Sequence, residues 1–283
     1  IGTIHGVCND FLLRYRHRTR LGNSYDVLDE LTQLLFIFEH FDEIVGAEEN
    51  GKYLDRWSTR WTAIEGARDY FNKITEELID PNVLAKSSEL FVRIIGRAYQ
   101  AYQAKLFEKN CIDFAHQQKL FLELLKDPEI GATITGRVRY VLVDEYQDTN
   151  YVQEQLLLRL AGTQRNICVV GDEDQSLYRF RGATVRNILE FPRQFKNSRT
   201  VTLLANYRSH GEIVKAYDRW MASWDWSNPK GGPSFRYDKK IIPDPEGKFP
   251  EYPPIFSIWG QNRQDEARRF ADLVAFLKEN RVI

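Results

Sequence analysis

Two carboxylates directly follow an apolar segment, at a point where a parallel β-strand would deliver them to a ligand. The segment is residues 140–143, and the acids are Asp144 and Glu145. In open α/β sheets, ligands bind beyond the carboxyl ends of the strands. Asp144 there could bind Mg²⁺, directly or through water, and Glu145 could polarise a water molecule for attack on a phosphoryl group. The alternative is an acidic pair that only opens the next loop.

A second apolar segment, residues 167–170, is followed by polar residues that include Gln175. Its neutral amide could sense a phosphate oxygen or the attacking water. Shortly after it, Tyr178, Phe180 and Arg181 place two aromatic faces and a cation within one turn. That combination stacks unpaired bases and holds their backbone. A solvated acidic turn followed by two core aromatic residues is the alternative.

A third apolar segment, residues 200–204, precedes Tyr207 and Arg208. The guanidinium of Arg208 could reach a terminal phosphate, and the ring of Tyr207 could stack on a nucleobase. An isolated arginine after a strand is more often an ion-pair partner. Each of the three strand ends is ambiguous by itself, and the three taken together are far less ambiguous.

The elements that must position these residues follow from periodicity. The three apolar segments alternate with helical patterns, which predicts strands in a parallel α/β sheet. Residues 21–130 instead show helical spacing interrupted at Pro81 and Pro128, so we expect an all-helical region there. Residues 223–254 are predicted to be irregular, and a strand at 255–259 and a helix at 265–278 to follow.

Composition limits the class of protein. A chain of 283 residues predicts two domains, at about 150 residues each. Hydrophobic residues make up 43% of it, which excludes a disordered chain. The formal net charge of −1 excludes a protein that coats polyanions, so contact with nucleic acid would require local patches.

Cysteine usage and hydropathy indicate the compartment. Cys8, Cys111 and Cys168 are far apart and have no cysteine or histidine at zinc-ligand spacing. We expect a reducing, cytoplasmic environment and no structural metal. The longest apolar segments are far shorter than the ~18 residues that span a bilayer, so no membrane association is expected.

Three strings carry a family resemblance: VLVDEYQDTN, VVGDEDQSLYRFRGA and ANYRS, in that order. They resemble motifs II, III and IV of the superfamily 1 DNA helicases of the UvrD/Rep/PcrA type. Residues 2–6 are similar to the Thr-Phe-His segment of that family, and residues 111–114 to the end of its helical insertion. The resemblance extends over the whole chain, but its specificity is concentrated in residues 140–210.

The resemblance implies an α/β fold with a RecA-like parallel sheet of the P-loop NTPase type and an inserted all-helical subdomain. Residues 1–20 and 131–215 would belong to the first RecA-like domain, known as 1A. Residues 21–130 would form the helical insertion, 1B, and residues 216–283 would begin the second RecA-like domain, 2A.

The resemblance also implies roles for individual residues. Asp144 would bind Mg²⁺, and Glu145 would be the catalytic base of ATP hydrolysis. Gln175 would couple the γ-phosphate to DNA, Arg208 would contact that phosphate, and Tyr207 would stack on adenine. The single-stranded DNA track would be lined by Thr3, His5, Tyr178, Phe180 and Arg181. The activity implied is ATP-driven 3′-to-5′ translocation on single-stranded DNA and unwinding of duplexes with a 3′ single-stranded tail.

This chain departs from the family pattern at several positions. Phe180 stands where the family usually has tryptophan, and Ile4 where it usually has phenylalanine. Ala115 and His116 replace two acids, which puts the contact made by the helical insertion in question.

The phosphate-binding loop is also missing. Only residues 46–53 approach its spacing, but Tyr53 cannot replace the small hydroxyl and the acids within the segment would repel phosphate. We expect that loop upstream of Ile1 and the arginine finger beyond Ile283, and negligible ATPase activity from residues 1–283 alone.

Two other classes of protein remain open from the sequence. One is a DNA-binding or scaffold protein that retains the fold without a functioning ATPase. The other is a metal-dependent nuclease that uses the acids Asp144, Glu145, Asp172 and Asp174 and requires no ATP.

Overall fold

The computed structural model describes most of the chain in two units, Ile1–Ile188 and Leu189–Ile283. The described residues are 1–19, 21–22, 24–46, 53–176, 186–195, 197–229, 231, 234–244 and 254–283. Residues 47–52 of the rejected phosphate-loop candidate lie outside them, as do the predicted DNA contacts Tyr178, Phe180 and Arg181. No helix in this described part is both long and apolar enough to cross a bilayer.

Helices dominate the first unit. Their bounds are α1 (Ile4–Arg14), α2 (Glu30–Glu39), α3 (Phe41–Val45), α4 (Tyr53–Arg56), α5 (Arg60–Glu76), α6 (Pro81–Leu84), α7 (Leu90–Glu108), α8 (Phe114–Lys126), α9 (Pro128–Thr135) and α10 (Tyr151–Ala161). The strands of this unit are β1 (Asp26–Leu28), β2 (Cys111–Asp113), β3 (Val141–Val143) and β4 (Ile167–Val169). Helix α11 (Arg186–Gln194) begins at the end of this unit.

Side-chain caps explain where several of these helices begin. Asp113 caps α8 by accepting a hydrogen bond from the backbone N–H of His116. Asp127 ends α8 and caps α9, in which Pro128 occupies the first helical position. Pro81 occupies the same position in α6. The breaks predicted at both prolines are therefore confirmed.

Two hydrophobic clusters stabilise the first unit. The first joins α2, α3, α5 and α7, and its fully buried members include Ile37, Phe71 and Tyr102. The second joins α1, α8, α9 and α10 around residues such as Leu12 and Phe121. Each large apolar side chain buried in this way contributes about 2 kcal/mol to stability.

The region expected to be all-helical contains a pair of strands. β1 pairs with β2 in parallel, with Asp26 opposite Cys111 and Leu28 opposite Asp113. These strands have three residues each, too short for an alternating pattern to reveal them. The expectation of an all-helical region at 21–130 is corrected accordingly.

The first two strands predicted for the α/β sheet are confirmed. β3 and β4 pair in parallel, with Val141 opposite Ile167 and Val143 opposite Val169. Helix α10 lies between them in the chain and contacts β3. In the described residues this sheet has two strands, so the complete RecA-like sheet remains a prediction.

The second unit contains β5 (Ala205–Asn206), α12 (Gly211–Ala222), β6 (Ile242–Pro243) and α13 (Arg263–Glu279). β5 and β6 pair in parallel. The final helix is confirmed, but the strands predicted at 200–204 and 255–259 are wrong, since neither segment forms a strand. At the end of residues 200–204, the backbone carbonyl of Leu204 accepts a hydrogen bond from the N–H of Ile242 in β6 at 2.8 Å.

Candidate active site

The chain turns sharply at the end of β3. Glu145 adopts left-handed backbone angles, φ 50° and ψ 44°, and a 3₁₀ turn at Tyr146–Asp148 follows. This conformation costs a non-glycine residue about 1 kcal/mol, so the surrounding structure must hold it in place. Asp144 contributes by accepting the N–H of Glu145 on Oδ1 at 3.0 Å. Both acids are exposed at the strand end.

The turn is fixed to the neighbouring strand and to the following helix. The N–H of Tyr146 donates to the carbonyl of Val170 at 2.9 Å, just beyond β4. Thr149 Oγ1 donates to the carbonyl of Tyr146 at 2.6 Å. Asn150 then caps α10 through a reciprocal pair of hydrogen bonds with Gln153. The strained residue is thus held between two ordered elements.

A buried glutamine joins the ends of β3 and β4. Gln147 Nε2 donates to Glu145 Oε2 at 2.7 Å. Gln147 Oε1 accepts the N–H of Asp172 at 3.1 Å. The side chain is 1% exposed. The two polar segments that follow separate strands therefore form one hydrogen-bonded arrangement.

The segment after β4 forms a short acidic turn. Asp172 caps the 3₁₀ turn Glu173–Gln175 by accepting the N–H of Asp174 at 3.1 Å. Gln175 Nε2 donates to Asp172 Oδ2 at 2.8 Å. Carboxylate oxygens of Asp172, Glu173 and Asp174 lie within 4.8 Å of one another. Asp144 and Glu145 are not members of this group of three acids.

Asp148 lies close to Glu145 and responds to its charge. Burial and then the negative charge of Glu145 raise the pKa of Asp148 above its ordinary value. The Oδ1 atom of Asp148 is buried without a hydrogen-bond partner in the described part of the chain. The end of β3 thus carries a concentrated negative charge, a setting that suits a divalent cation.

Residues 1–196 match the family model described as the UvrD/REP helicase N-terminal domain. The chain belongs to the UvrD/Rep helicase family. ATP-dependent DNA helicase UvrD1 of Mycobacterium tuberculosis is 38% identical over 297 residues, which cover 99% of this chain and 35% of that protein.

Two further relatives show the same relationship in length. ATP-dependent DNA helicase PcrA of Bacillus subtilis is 33% identical over 218 residues, 76% of this chain and 28% of that protein. ATP-dependent DNA helicase Rep of Buchnera aphidicola is 29% identical over 217 residues, 76% of this chain and 30% of that protein. This UvrD/Rep-family chain spans about a third of the length of these curated relatives.

Thr3 and His5 of this UvrD/Rep-family chain lie at the start of α1. Thr3 is exposed, and its Oγ1 accepts the N–H of Gly6 at 3.1 Å, so it caps the helix. The ring of His5 packs against Phe114 with centroids 4.9 Å apart. Gln118 Nε2 lies 2.6 Å from His5 Nε2. Burial lowers the pKa of His5, which favours a neutral ring.

Tyr207 and Arg208 belong to the second unit. Both are exposed, and the ring-bearing side chain of Tyr207 has 77% of its surface accessible. The turn that presents them is held by Asn206, whose Oδ1 accepts the N–H of Arg208 at 3.0 Å and that of Ser209 at 2.8 Å. An exposed ring and guanidinium on a fixed turn suit stacking and phosphate contact.

Sequence reasoning did not identify Gln147 as a residue of this site. It also did not identify Asp172 as the residue that caps the turn and bonds to Gln147. A glutamine two residues after a candidate base, at the start of a turn, was the available signal, because an amide can both donate and accept. The contact between them joins positions 25 residues apart, which no local pattern encodes.

Proposed function

We infer that this chain contributes part of the ATPase site of an ATP-dependent DNA helicase, with Glu145 as the catalytic base and Asp144 as the ligand for Mg²⁺. The observation that carries this is the hydrogen-bonded connection from Glu145 through Gln147 to the Asp172–Gln175 turn. Family membership supports it, as do the printed names of the relatives, which are ATP-dependent DNA helicases.

The residues of the site divide the work of hydrolysis. Glu145 takes a proton from the attacking water. The amide of Gln147 holds the carboxylate oxygen Oε2 of Glu145 in place. Mg²⁺ bound with ATP would neutralise charge on the phosphates, and the exposed carboxylate of Asp144 would hold it. Gln175 would sense the γ-phosphate from the turn after β4.

Two exposed residues of the second unit carry proposed nucleotide contacts. Arg208 would contact the γ-phosphate and Tyr207 would stack on adenine, roles for which their exposure leaves both side chains accessible. In this proposal the first RecA-like domain comprises residues 1–20 and 131–215, the helical insertion 21–130, and the start of the second RecA-like domain 216–283. The parallel pair of β3 and β4 would form part of the RecA-like sheet.

DNA would be the polymer on which this motor moves. Single-stranded DNA would contact the start of α1 and the segment after Gln175, and the motor would travel from 3′ to 5′. The proposed contacts are Thr3, His5, Tyr178, Phe180 and Arg181. Because burial lowers the pKa of His5, its ring, which packs against Phe114, would contribute a polar and stacking contact rather than a charge.

The test is ATP hydrolysis by the complete gene product that carries this sequence. Single-stranded DNA should stimulate turnover, and Glu145→Gln should reduce it by at least about 100-fold, since a general base is removed. Glu39→Gln, an exposed change in α2, serves as the control and should keep the wild-type rate. Wild-type turnover by Glu145→Gln would overturn the assignment of the base.

Polarity requires a separate measurement. Strand displacement with ATP should occur on duplexes with a 3′ tail and not on those with a 5′ tail. DNA cleavage with Mg²⁺ or Mn²⁺ in the absence of ATP would instead support a nuclease.

A further inference from the structure

We propose that Gln147 is a positioning residue. It couples the Asp172–Gln175 turn, which precedes the proposed DNA contacts in the chain, to the catalytic base Glu145. The inference rests on the proposed function, because it assigns a task to the residue beside Glu145. Gln147 touches Glu145 through its amide nitrogen and the backbone of Asp172 through its amide oxygen.

The chemistry of an amide is what this position requires. The donor at Nε2 meets a carboxylate oxygen at 2.7 Å, and the acceptor at Oε1 meets a backbone N–H at 3.1 Å. At 1% exposure, neither atom could turn to water if its partner moved away. A carboxylate at this position would keep the second contact but would lose the first and repel Glu145.

Gly171 closes the space around the amide. A Cβ atom at position 171 would lie 2.6 Å from Gln147 Oε1 and 2.8 Å from Ile188 Cδ1. Any side chain there would displace the amide. The glycine backbone therefore lets the segment after β4 approach Gln147 closely enough to bond to it.

The connection continues along the chain to Gln175. Asp172 donates its N–H to Gln147, and its carboxylate holds the side chain of Gln175 at 2.8 Å. The proposed single-strand contacts begin three residues beyond Gln175. If DNA binding shifts the Asp172–Gln175 turn, Asp172 would move the amide of Gln147 to which it is bonded. That amide would in turn move the carboxylate of Glu145. DNA would in this way control the orientation of the base without touching it.

The tests use ATPase kinetics of the complete gene product. Gln147→Met keeps the length of the side chain and removes both hydrogen bonds, whereas Gln147→Glu keeps an acceptor for Asp172. Both variants should lower kcat by about tenfold or more, leave KM for ATP within about twofold, and reduce the stimulation by single-stranded DNA. Gly171→Ala should do the same from the opposite side by displacing the amide.

A matched control separates positioning from stability. Gln33 is also a buried glutamine, bonded to Tyr102 and Asp113 and not part of the turns that follow β3 and β4. Gln33→Met should lower thermal stability yet keep the stimulation by DNA. Wild-type kcat and stimulation in folded Gln147→Met or Gly171→Ala would overturn the proposal.

A double-mutant cycle distinguishes action through the base from a general structural effect. In a Glu145→Gln background, Gln147→Met should lower the residual turnover no further, because the group that it positions is gone. Additive losses would contradict the proposal while leaving the base assignment intact. Wild-type turnover by Glu145→Gln alone would overturn both.

Discussion

Asp113 and His116 form a buried pair, with Asp113 Oδ2 2.9 Å from His116 Nδ1 and both side chains 2% exposed. Tyr102 donates its hydroxyl to the same carboxylate oxygen at 2.7 Å, and Gln33 Nε2 donates to it at 3.1 Å. His116 is one of the two residues that replace acids of the family pattern. Because His116 is buried and paired with Asp113, the histidine at this position is part of the packed interior of the protein.

Replacing Asp113 should destabilise the fold strongly. Asp113→Ala leaves the groups around the carboxylate buried without a partner and should lower the free energy of unfolding by about 3 kcal/mol. Urea denaturation measures the loss. Asp69→Ala, which removes an exposed partner of Arg68, is the control and should cost less than about 1 kcal/mol. Equal stability of the two variants would contradict the buried network.

The same pair predicts a pH dependence in acid. Burial opposes ionisation of Asp113, but the charge of His116 and hydrogen bonds from His116 and Tyr102 lower its pKa below the ordinary value. A depressed carboxyl pKa stabilises the fold above about pH 4, and this contribution is lost as the pH falls through the pKa of the folded state. Asp113→Ala should lack this part of the acid dependence in unfolding measured from pH 6 to pH 2.

Glu76 should act in the opposite direction. Burial raises its pKa to about 7. Because the folded-state pKa lies above the unfolded one, stability should fall as the pH rises from about 4.5 to about 7. Glu76→Gln should remove that decline and stabilise the protein at pH 8 by at most about 3 kcal/mol. Thermal unfolding of the wild type and of Glu76→Gln at pH 5 and pH 8 measures this effect. If the variant lost more stability than the wild type between pH 5 and pH 8, the raised pKa of Glu76 would be contradicted.

Glu145 should influence the titration of Asp148. Burial and the charge of Glu145 both raise the pKa of Asp148. Glu145→Gln should therefore lower that pKa, though not to its ordinary value, because the burial remains. Carboxyl ¹³C NMR titration follows the shift, with Glu39→Gln as the control. An unchanged pKa would place the two carboxylates too far apart to interact.

Gly96 should tolerate no side chain. A Cβ atom there would lie 2.6 Å from the backbone nitrogen of Ala85, where α7 passes close to the segment after α6. Gly96→Ala should cost about 2 kcal/mol of stability, since backbone must move to admit the methyl group. Chemical denaturation should show no comparable loss for Gly2→Ala, where the nearest atom lies 4.0 Å away.

Several elements of the fold could be predicted from local pattern. β3 and β4 lie within continuous apolar segments, 140–143 and 167–170, and the helix α10 between them has helical periodicity, so composition and spacing identify all three. Residues 200–204 do not form the strand that their apolar residues predict. Val201 and Leu203 are 69% and 80% exposed, and the segment forms no strand, whereas apolar β-type residues alone predicted one.

The sequence by itself determined which chemical groups follow each strand and which family the motifs resemble, because these depend on residue identity and order. The tertiary structure decided how those groups are connected. The left-handed backbone of Glu145 and the parallel register of β3 and β4 bring Gln147 to Asp172, across 25 residues of chain. Periodicity reports which face of an element is buried, but a hydrogen bond between distant turns depends on how two elements pack, and so only the fold could show it.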